Sequence, residues 1–148
     1  MPRTIHTAAF LQAPPGNLFD MYLNPETHAA ITGAPVSIGA HAGAEFLAFN
    51  GMLRGTILQV IPKRLIVQSW RANKWKTRDL DSTLVLTFWP ERKGTRIELV
   101  HVNVADHDFA DVSHGWEIYY WNPWREYLKS ARRLRKGKPR SKNRMDSA

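Results

Sequence analysis

The chain has 148 residues and no cysteine, which excludes disulfide bonds, thiolate metal sites and cysteine nucleophiles. Hydrophobic residues at 43% and charged residues at 23% are typical of a single globular domain of this length. No apolar run reaches the length of a signal-peptide core or of a membrane span of about 20 residues. We therefore expect a soluble cytoplasmic protein that makes no contact with a membrane.

The net charge of +8 is confined to the C-terminal end of the chain. Residues 1–128 hold 12 Lys+Arg and 12 Asp+Glu, whereas residues 129–148 hold nine Lys+Arg and one acidic residue, Asp146. We predict a single domain over residues 1–131, followed by a basic, disordered tail over residues 132–148. The tail is expected to aid solubility, and the alternative is a weak contact with nucleic acid or with an acidic partner.

The first part of the chain predicts one strand and two short helices. Residues 4–12 alternate in the manner of a strand, which ends at Pro14. Apolar residues at helical spacing then follow a predicted cap at Asn17. A second short helix is predicted to begin after Asn24 and to end at Gly33.

Five further strands are predicted from residue 44 onward. Most of the turns between them are short, and connections of that length join antiparallel neighbours. Gly55 falls inside one of these strands, where a missing side chain indicates a bulge or the close approach of another backbone. The register predicted for the last two strands places one set of residues, Leu84, Leu86 and Phe88, opposite another, Ile97, Leu99 and His101.

Residues 109–134 are the remaining stretch that is long enough to cover this sheet. An apolar face recurs at helical spacing, and its aromatic members after residue 115 are Trp116, Tyr120, Trp124 and Tyr127. Trp121 lies at the edge of this face, where it would be available to a partner. Pro123 cannot donate a hydrogen bond to the carbonyl of Tyr119, so we predict a kink or a break between these two residues.

This order of elements resembles the START-like, or Bet v-type, helix-grip fold, an α+β fold whose curved antiparallel sheet wraps around a long C-terminal helix. Short motifs narrow the resemblance: HAAITGAP at 28–35, EFLAFNGMLRG at 45–55, VIPKRLIVQSWR at 60–71, STLVLTF at 82–88 and Gly115-Trp116. Together they resemble the C-terminal domain of activators of the ninety-kilodalton heat-shock chaperone's ATPase, and its stand-alone bacterial homologues. The resemblance covers about residues 5–130.

The resemblance implies two kinds of activity. In the family, this domain acts as a chaperone-activating module when it is joined to an N-terminal partner domain. In the broader superfamily, the helix and the sheet enclose a cavity for lipids, steroids or polyketides. A homodimer is a further expectation, since the body of the chain is neutral and carries aromatic edges.

Nine residues are predicted to line a cavity between sheet and helix: Phe46, Trp70, Leu86, Phe88, Leu99, His101, Trp116, Glu117 and Tyr120. His101 shares the inward parity of Leu99, and Glu117 falls on the apolar face of the predicted helix. A histidine in this position is most often a hydrogen-bonded core residue. The alternatives are a polar handle for a ligand or, together with Glu117, an acid-base pair.

Two polar stretches of the sequence suggest other roles. Trp75 stands between Lys74 and Lys76 near a hairpin tip, where an exposed aromatic among cations would suit an acidic protein partner. The alternative is that Trp75 folds back onto the sheet. The aspartates around His107, in the sequence ADHDFAD, are expected to cap the following helix or to form a solvated loop, and the alternative is a metal site.

The leading hypothesis is a non-enzymatic START-like domain that binds a small, largely apolar ligand between sheet and helix. The first alternative is a co-chaperone-like regulator of a heat-shock ATPase that acts through surface contacts. The second is a small enzyme that uses His101 and Glu117. No residue pattern calls for a metal ion or a cofactor.

Overall fold

The structure, a computed structural model, describes residues 1–137. These residues form seven strands and four α-helices, and their bounds in chain order are β1 Arg3–Leu11, α1 Pro15–Leu23, α2 Pro25–Thr32, β2 Val36–Ser37, β3 Glu45–Ala48, β4 Leu53–Ile61, β5 Leu65–Ala72, β6 Ser82–Glu91, β7 Gly94–Val104, α3 Phe109–Gly115 and α4 Asn122–Gly137. A 3-10 turn, Asp106–Asp108, precedes α3. A π-helical segment, Trp116–Trp121, joins α3 to α4.

The strands form one antiparallel, curved sheet in the order β1-β7-β6-β5-β4-β3-β2. All six predicted strands are present, and the two-residue strand β2 is the one that the sequence did not predict. The predicted register is also confirmed, since Leu86 lies opposite Leu99 in the pairing of β6 with β7. With the last helix lying against this sheet, the predicted α+β helix-grip architecture is confirmed.

Gly55 lies where β4 passes close to β5. A side chain at this position would collide with the carbonyl oxygen of Ser69. The close backbone approach predicted for Gly55 is therefore confirmed, and the irregularity in the same strand pair lies further along, between Ile57 and Gln59. Because Gly55 has no side chain, β4 and β5 can approach each other closely beside the site described below.

The two short helices after β1 begin and end for identifiable reasons. Asn24 Oδ1 accepts hydrogen bonds from the amides of Glu26 at 2.8 Å and Thr27 at 3.3 Å, which caps α2 as predicted. The helix ends at Gly33, whose φ of 82° suits a residue without a side chain. The cap predicted for Asn17 is wrong, because α1 begins two residues earlier, at Pro15, a residue type that favours the first helical turn.

The C-terminal helix continues without interruption through the position where a kink or break was predicted. Instead of ending, it widens into the π-helical segment, in which the amide of Asn122 bonds to the carbonyl of Glu117, five residues earlier. Pro123, which has no N–H group, follows directly. The wide turn brings Trp121 beneath Trp116, with ring centroids 5.8 Å apart, so Trp121 is buried rather than available to a partner.

The folded part of the chain extends beyond the boundary predicted at residue 131. Helix α4 continues to Gly137, and Arg132 Nη1 donates a hydrogen bond to the carbonyl of Gln12 at 3.2 Å. The start of the predicted tail is thus helical, and residues 138–148 lie outside the described residues. None of the helices within residues 1–137 is long and apolar enough to cross a membrane.

Candidate functional site

A groove with a volume of about 620 Å³ lies between the first half of the C-terminal helix and the nearby end of the sheet. Its walls come from the turn between β3 and β4, from the end of β5, and from the helix between the 3-10 turn and the middle of the π segment. The apolar side chains that form most of the wall include Phe49, Leu53, Trp70, Val112, Trp116 and Tyr120.

Three of the nine predicted cavity residues line this groove, namely Trp70, Trp116 and Tyr120. Four others lie in the solid core and do not reach it: Phe46, Leu86, Phe88 and Leu99. Their inward direction was predicted correctly, but the short helices pack over part of this surface: α1 lies against β6, which carries Leu86 and Phe88, and the ring of His28 in α2 lies 6.1 Å from that of Phe46. The ring of Phe19 in α1, for example, packs edge-on against Phe88 at 5.7 Å.

His101 is a core residue behind the groove, and it does not line the groove as a polar contact for a ligand. The Ser82 hydroxyl donates to the Trp70 carbonyl at 2.8 Å, so it accepts from His101 Nε2, also at 2.8 Å. His101 Nδ1 then accepts from Trp116 Nε1 at 3.3 Å. Both ring nitrogens are therefore used in the neutral form, and burial lowers the pKa of His101 to about 3.

Glu117 does not face the groove. Its carboxylate is 51% exposed and lies 3.3 Å from Arg125 Nη1 on the outer side of the helix. The alternative of an acid-base pair with His101 is therefore wrong, since His101 is fully buried and Glu117 points to solvent. The physical reason is the π segment, because its wider turn changes the direction of side chains that a regular helix would place inward.

Trp75 is buried, with 5% of its surface exposed, so the prediction of an exposed contact residue is wrong and the folded-back alternative is observed. Its Nε1 donates to Asp108 Oδ2 at 2.8 Å, and its ring lies 5.5 Å from that of Trp70. Lys76 is exposed and lies outside the groove. Lys74 lines the groove, and its exposed side chain reaches back toward the same Asp108.

Of the two expectations for the aspartates before α3, capping is not observed at Asp108. Asp108 stands at the N-cap position, but its side chain makes no capping hydrogen bond and receives Trp75 and Lys74 instead. His107 Nε2 lies 2.7 Å from Asp79 Oδ2. Asp106 contacts Arg3 at 3.9 Å, so Asp106 and Asp108 are directed to different partners.

Lys74 and Asp108 form the polar end of the groove. Lys74 Nζ lies 2.9 Å from Asp108 Oδ1 and 3.6 Å from Asp111 Oδ2. Hydrogen bonding to Asp108, followed by the charge of that carboxylate, raises the pKa of Lys74 above its ordinary value. The groove therefore has a charged end and an apolar remainder.

The rim of the groove is apolar and partly exposed to solvent. Tyr119 packs edge-on against Phe49, with ring centroids 5.4 Å apart, and Met52 and Ile118 stand nearby with exposed side chains. Phe49 has a φ of 51°, a conformation that costs free energy for a residue with a side chain. The turn that carries Phe49 thus places an aromatic ring at the rim at the expense of backbone strain.

Residues 12–129 match the family described as Activator of Hsp90 ATPase homolog 1-like protein. The chain belongs to this family. A family relative from Dictyostelium discoideum, an activator of 90 kDa heat shock protein ATPase homolog, is 24% identical over 116 residues, which cover 78% of this chain and 30% of that protein. The chain thus spans less than a third of the length of this activator homologue.

Solved structures of similar proteins show the same fold. An HSP90 activator from Plasmodium falciparum has a TM-score of 0.78 at 19% identity, and the match covers 86% of this chain and 96% of that one. An Aha1 dimer from Colwellia psychrerythraea has a TM-score of 0.67 at 14% identity, with 78% and 89% covered. At these identities the likeness establishes the helix-grip fold of the activator-homologue family and nothing finer.

One polar network of this activator-homologue domain was missed in the sequence. The Tyr120 hydroxyl donates to His28 Nε2 at 2.9 Å, and His28 Nδ1 donates to the Tyr22 carbonyl at 2.7 Å. The Tyr22 hydroxyl donates to Gln68 Oε1 at 2.6 Å. Burial, opposed in part by the bond to Tyr22, lowers the pKa of His28 to about 4. The inward parity of Gln68 between Ile66 and Trp70 was the signal that could have revealed this network.

Proposed function

We propose that this activator-homologue domain binds a small, largely apolar molecule in the groove, as a binding module rather than as an enzyme. The observation that carries the proposal is the groove itself. Its volume of about 620 Å³ lies within the usual range for small-molecule sites, about 300–1,000 Å³. Its walls are mostly apolar, with a few polar groups gathered at one end, as such sites require.

The orientation of the aromatic wall supports an apolar ligand. The indole N–H of Trp116 and the hydroxyl of Tyr120 both bond inward, to His101 and to His28. Their polar atoms are therefore satisfied within the core. The rest of each ring is left to form the wall, and an apolar molecule there would displace water without breaking these bonds.

Gly115 offers a direct way to block the groove. It lines the groove, has helical backbone angles of −60° and −34°, and a Cβ there would meet only Tyr119, at an ordinary distance of 3.5 Å. The Gly115→Leu variant should therefore fill the groove without breaking the helix. Ser130→Leu, which adds the same side chain to the exposed side of α4, is the matched control.

The experiment combines native mass spectrometry of the purified protein with titration of n-octanol, followed by tryptophan fluorescence. We expect saturable binding by the wild type and by Ser130→Leu, and at least a tenfold loss of affinity in Gly115→Leu, because a filled groove excludes the probe. Two outcomes would overturn the proposal. One is a wild-type protein that carries no ligand and does not bind octanol, and the other is unchanged affinity in Gly115→Leu.

A second function, regulation of a heat-shock ATPase, is favoured by a different observation. The rim residues Met52, Ile118 and Tyr119 form an exposed apolar surface on a domain of the activator family. Docking of the chaperone at the rim would bury this apolar surface. Stoichiometric addition to the cognate chaperone should raise its ATPase rate, and Ile118→Glu should abolish the increase. An unchanged rate with the wild-type domain would reject this second function.

A further inference from the structure

We propose that the molecule bound in the groove carries a cationic group, such as an amine, which pairs with Asp108 in place of Lys74. This inference rests on the proposed ligand-binding function and adds the chemical class of the ligand. Three charged side chains, Lys74, Asp108 and Asp111, line the groove together with His114. Two carboxylates therefore face one ammonium group, and this balance favours a positive ligand.

The two partners of the central ion pair are held very differently. Asp108 is 3% exposed and is fixed by the hydrogen bond from Trp75, whereas the Lys74 side chain is 61% exposed at the end of a flexible stem. A ligand cation that takes the place of Lys74 keeps the buried carboxylate paired. The displaced ammonium group of Lys74 remains solvated by water, because that side chain is already largely exposed.

An anionic ligand meets the opposite situation. To bind Lys74 it must draw the ammonium group away from Asp108, which leaves a buried carboxylate without its cation. It would also lie close to Asp111, whose carboxylate is already 3.6 Å from the same lysine. Both effects oppose binding of a carboxylate or a phosphate at this end.

The arrangement along the helix suits a molecule with a charged head and an apolar body. Asp108, Val112, Trp116 and Tyr119 line the groove at successive turns, so its character changes from acidic to aromatic along one face. Trp70 also lines the groove beside Trp75, and aromatic faces attract cations as well as apolar groups. A head at Asp108 would therefore place the body against Trp116.

The test compares three probes of equal chain length, n-octylammonium, n-octanol and octanoate, by tryptophan fluorescence at neutral pH and low salt. We expect octylammonium to bind at least tenfold more tightly than octanol, and octanoate more weakly than either. If octanol binds and octylammonium binds no more tightly, the inference is overturned while the proposed function stands. If none of the three binds, the proposed function itself is overturned.

Two variants separate the roles of the ion pair. Asp108→Asn keeps an oxygen for Trp75 but removes the charge, so it should abolish the preference for octylammonium. Lys74→Met removes the resident cation and should raise octylammonium affinity severalfold, and it remains informative if Asp108→Asn does not fold. Should Lys74→Met instead weaken octanoate and leave octylammonium unchanged, Lys74 is an anchor for anions and the inference is wrong. Asp111→Asn, at an 81% exposed carboxylate, is the control and should have the smaller effect.

Discussion

The C-terminal helix meets the rest of the molecule in two different ways. At its open end, Trp116 and Tyr120 line the groove, whereas at its filled end Trp121 and Trp124 stack with ring centroids 6.2 Å apart and are buried. Helix α2 packs against α4 at the filled end, while the turn between β3 and β4 stands across the groove at the open end. The same aromatic stretch is therefore core in one half and pocket wall in the other, and the opposing elements decide which.

Substitutions on the two ends should give very different losses of stability. Trp124→Ala, at a residue with 1% exposure in the filled end, is expected to lower the free energy of unfolding by about 4 kcal/mol. Tyr119→Ala, at a 51% exposed residue on the rim of the open end, should cost less than about 1 kcal/mol. Urea denaturation of both variants measures the difference. Similar losses would show that the two ends are packed alike.

The two buried histidines should make stability depend on pH, and both lie behind the open end. The pKa of His28 is lowered to about 4 and that of His101 to about 3, from an unfolded value near 6.5, so the unfolded chain binds more protons between these limits. Stability is thus complete above pH 6.5 and falls as the pH drops toward 4. Each histidine should remove about 2 kcal/mol between pH 8 and pH 5.

Urea denaturation over this pH range measures the effect. His28→Gln and His101→Gln should each reduce the pH slope of the free energy of unfolding by one proton, because each removes one group that the unfolded chain protonates. A slope that is unchanged in both variants would contradict the buried, neutral state of these rings.

Tyr120→Phe separates the structural role of the open end from its binding role. The loss of the hydrogen bond to His28 leaves a buried ring nitrogen without a donor and should cost about 1–2 kcal/mol in urea denaturation. Octanol affinity should stay within about twofold of wild type, since the hydroxyl bonds inward. A large loss of affinity with little loss of stability would place the hydroxyl in the groove instead.

Glu117→Gln should have the smallest effect of all, because its ion pair with Arg125 is exposed. We expect a change below about 0.5 kcal/mol in urea denaturation and unchanged octanol binding. A strong effect on binding would indicate that Glu117 faces the groove, as the regular helical pattern had suggested.

Most of the fold followed from local patterns in the sequence. Alternation gave the register of Leu86 opposite Leu99, and the short polar signals gave the cap at Asn24 and the end of α2 at Gly33. These features depend on neighbouring residues or on a strict period of two. They are therefore visible without knowledge of the tertiary structure.

The site was predicted less well because it depends on distant contacts and on one irregular turn. The inward direction assigned to Glu117 assumed a regular helix, which the π segment replaces. Trp75 is buried and donates a hydrogen bond to Asp108, a partner 33 positions away that no local pattern reveals. Whether inward residues such as Phe88 line a cavity or a core depends on the packing of Phe19 from α1, which alternation does not describe.

The most direct measurement is the location of bound octanol by nuclear Overhauser effects to assigned methyl groups. We predict contacts from octanol to Leu53, Val112 and Ile118, which line the open end of the space between sheet and helix. Contacts to the core methyl groups of Leu86 or Leu99, or no intermolecular contacts at saturating octanol, would contradict the assignment of the groove as the binding site.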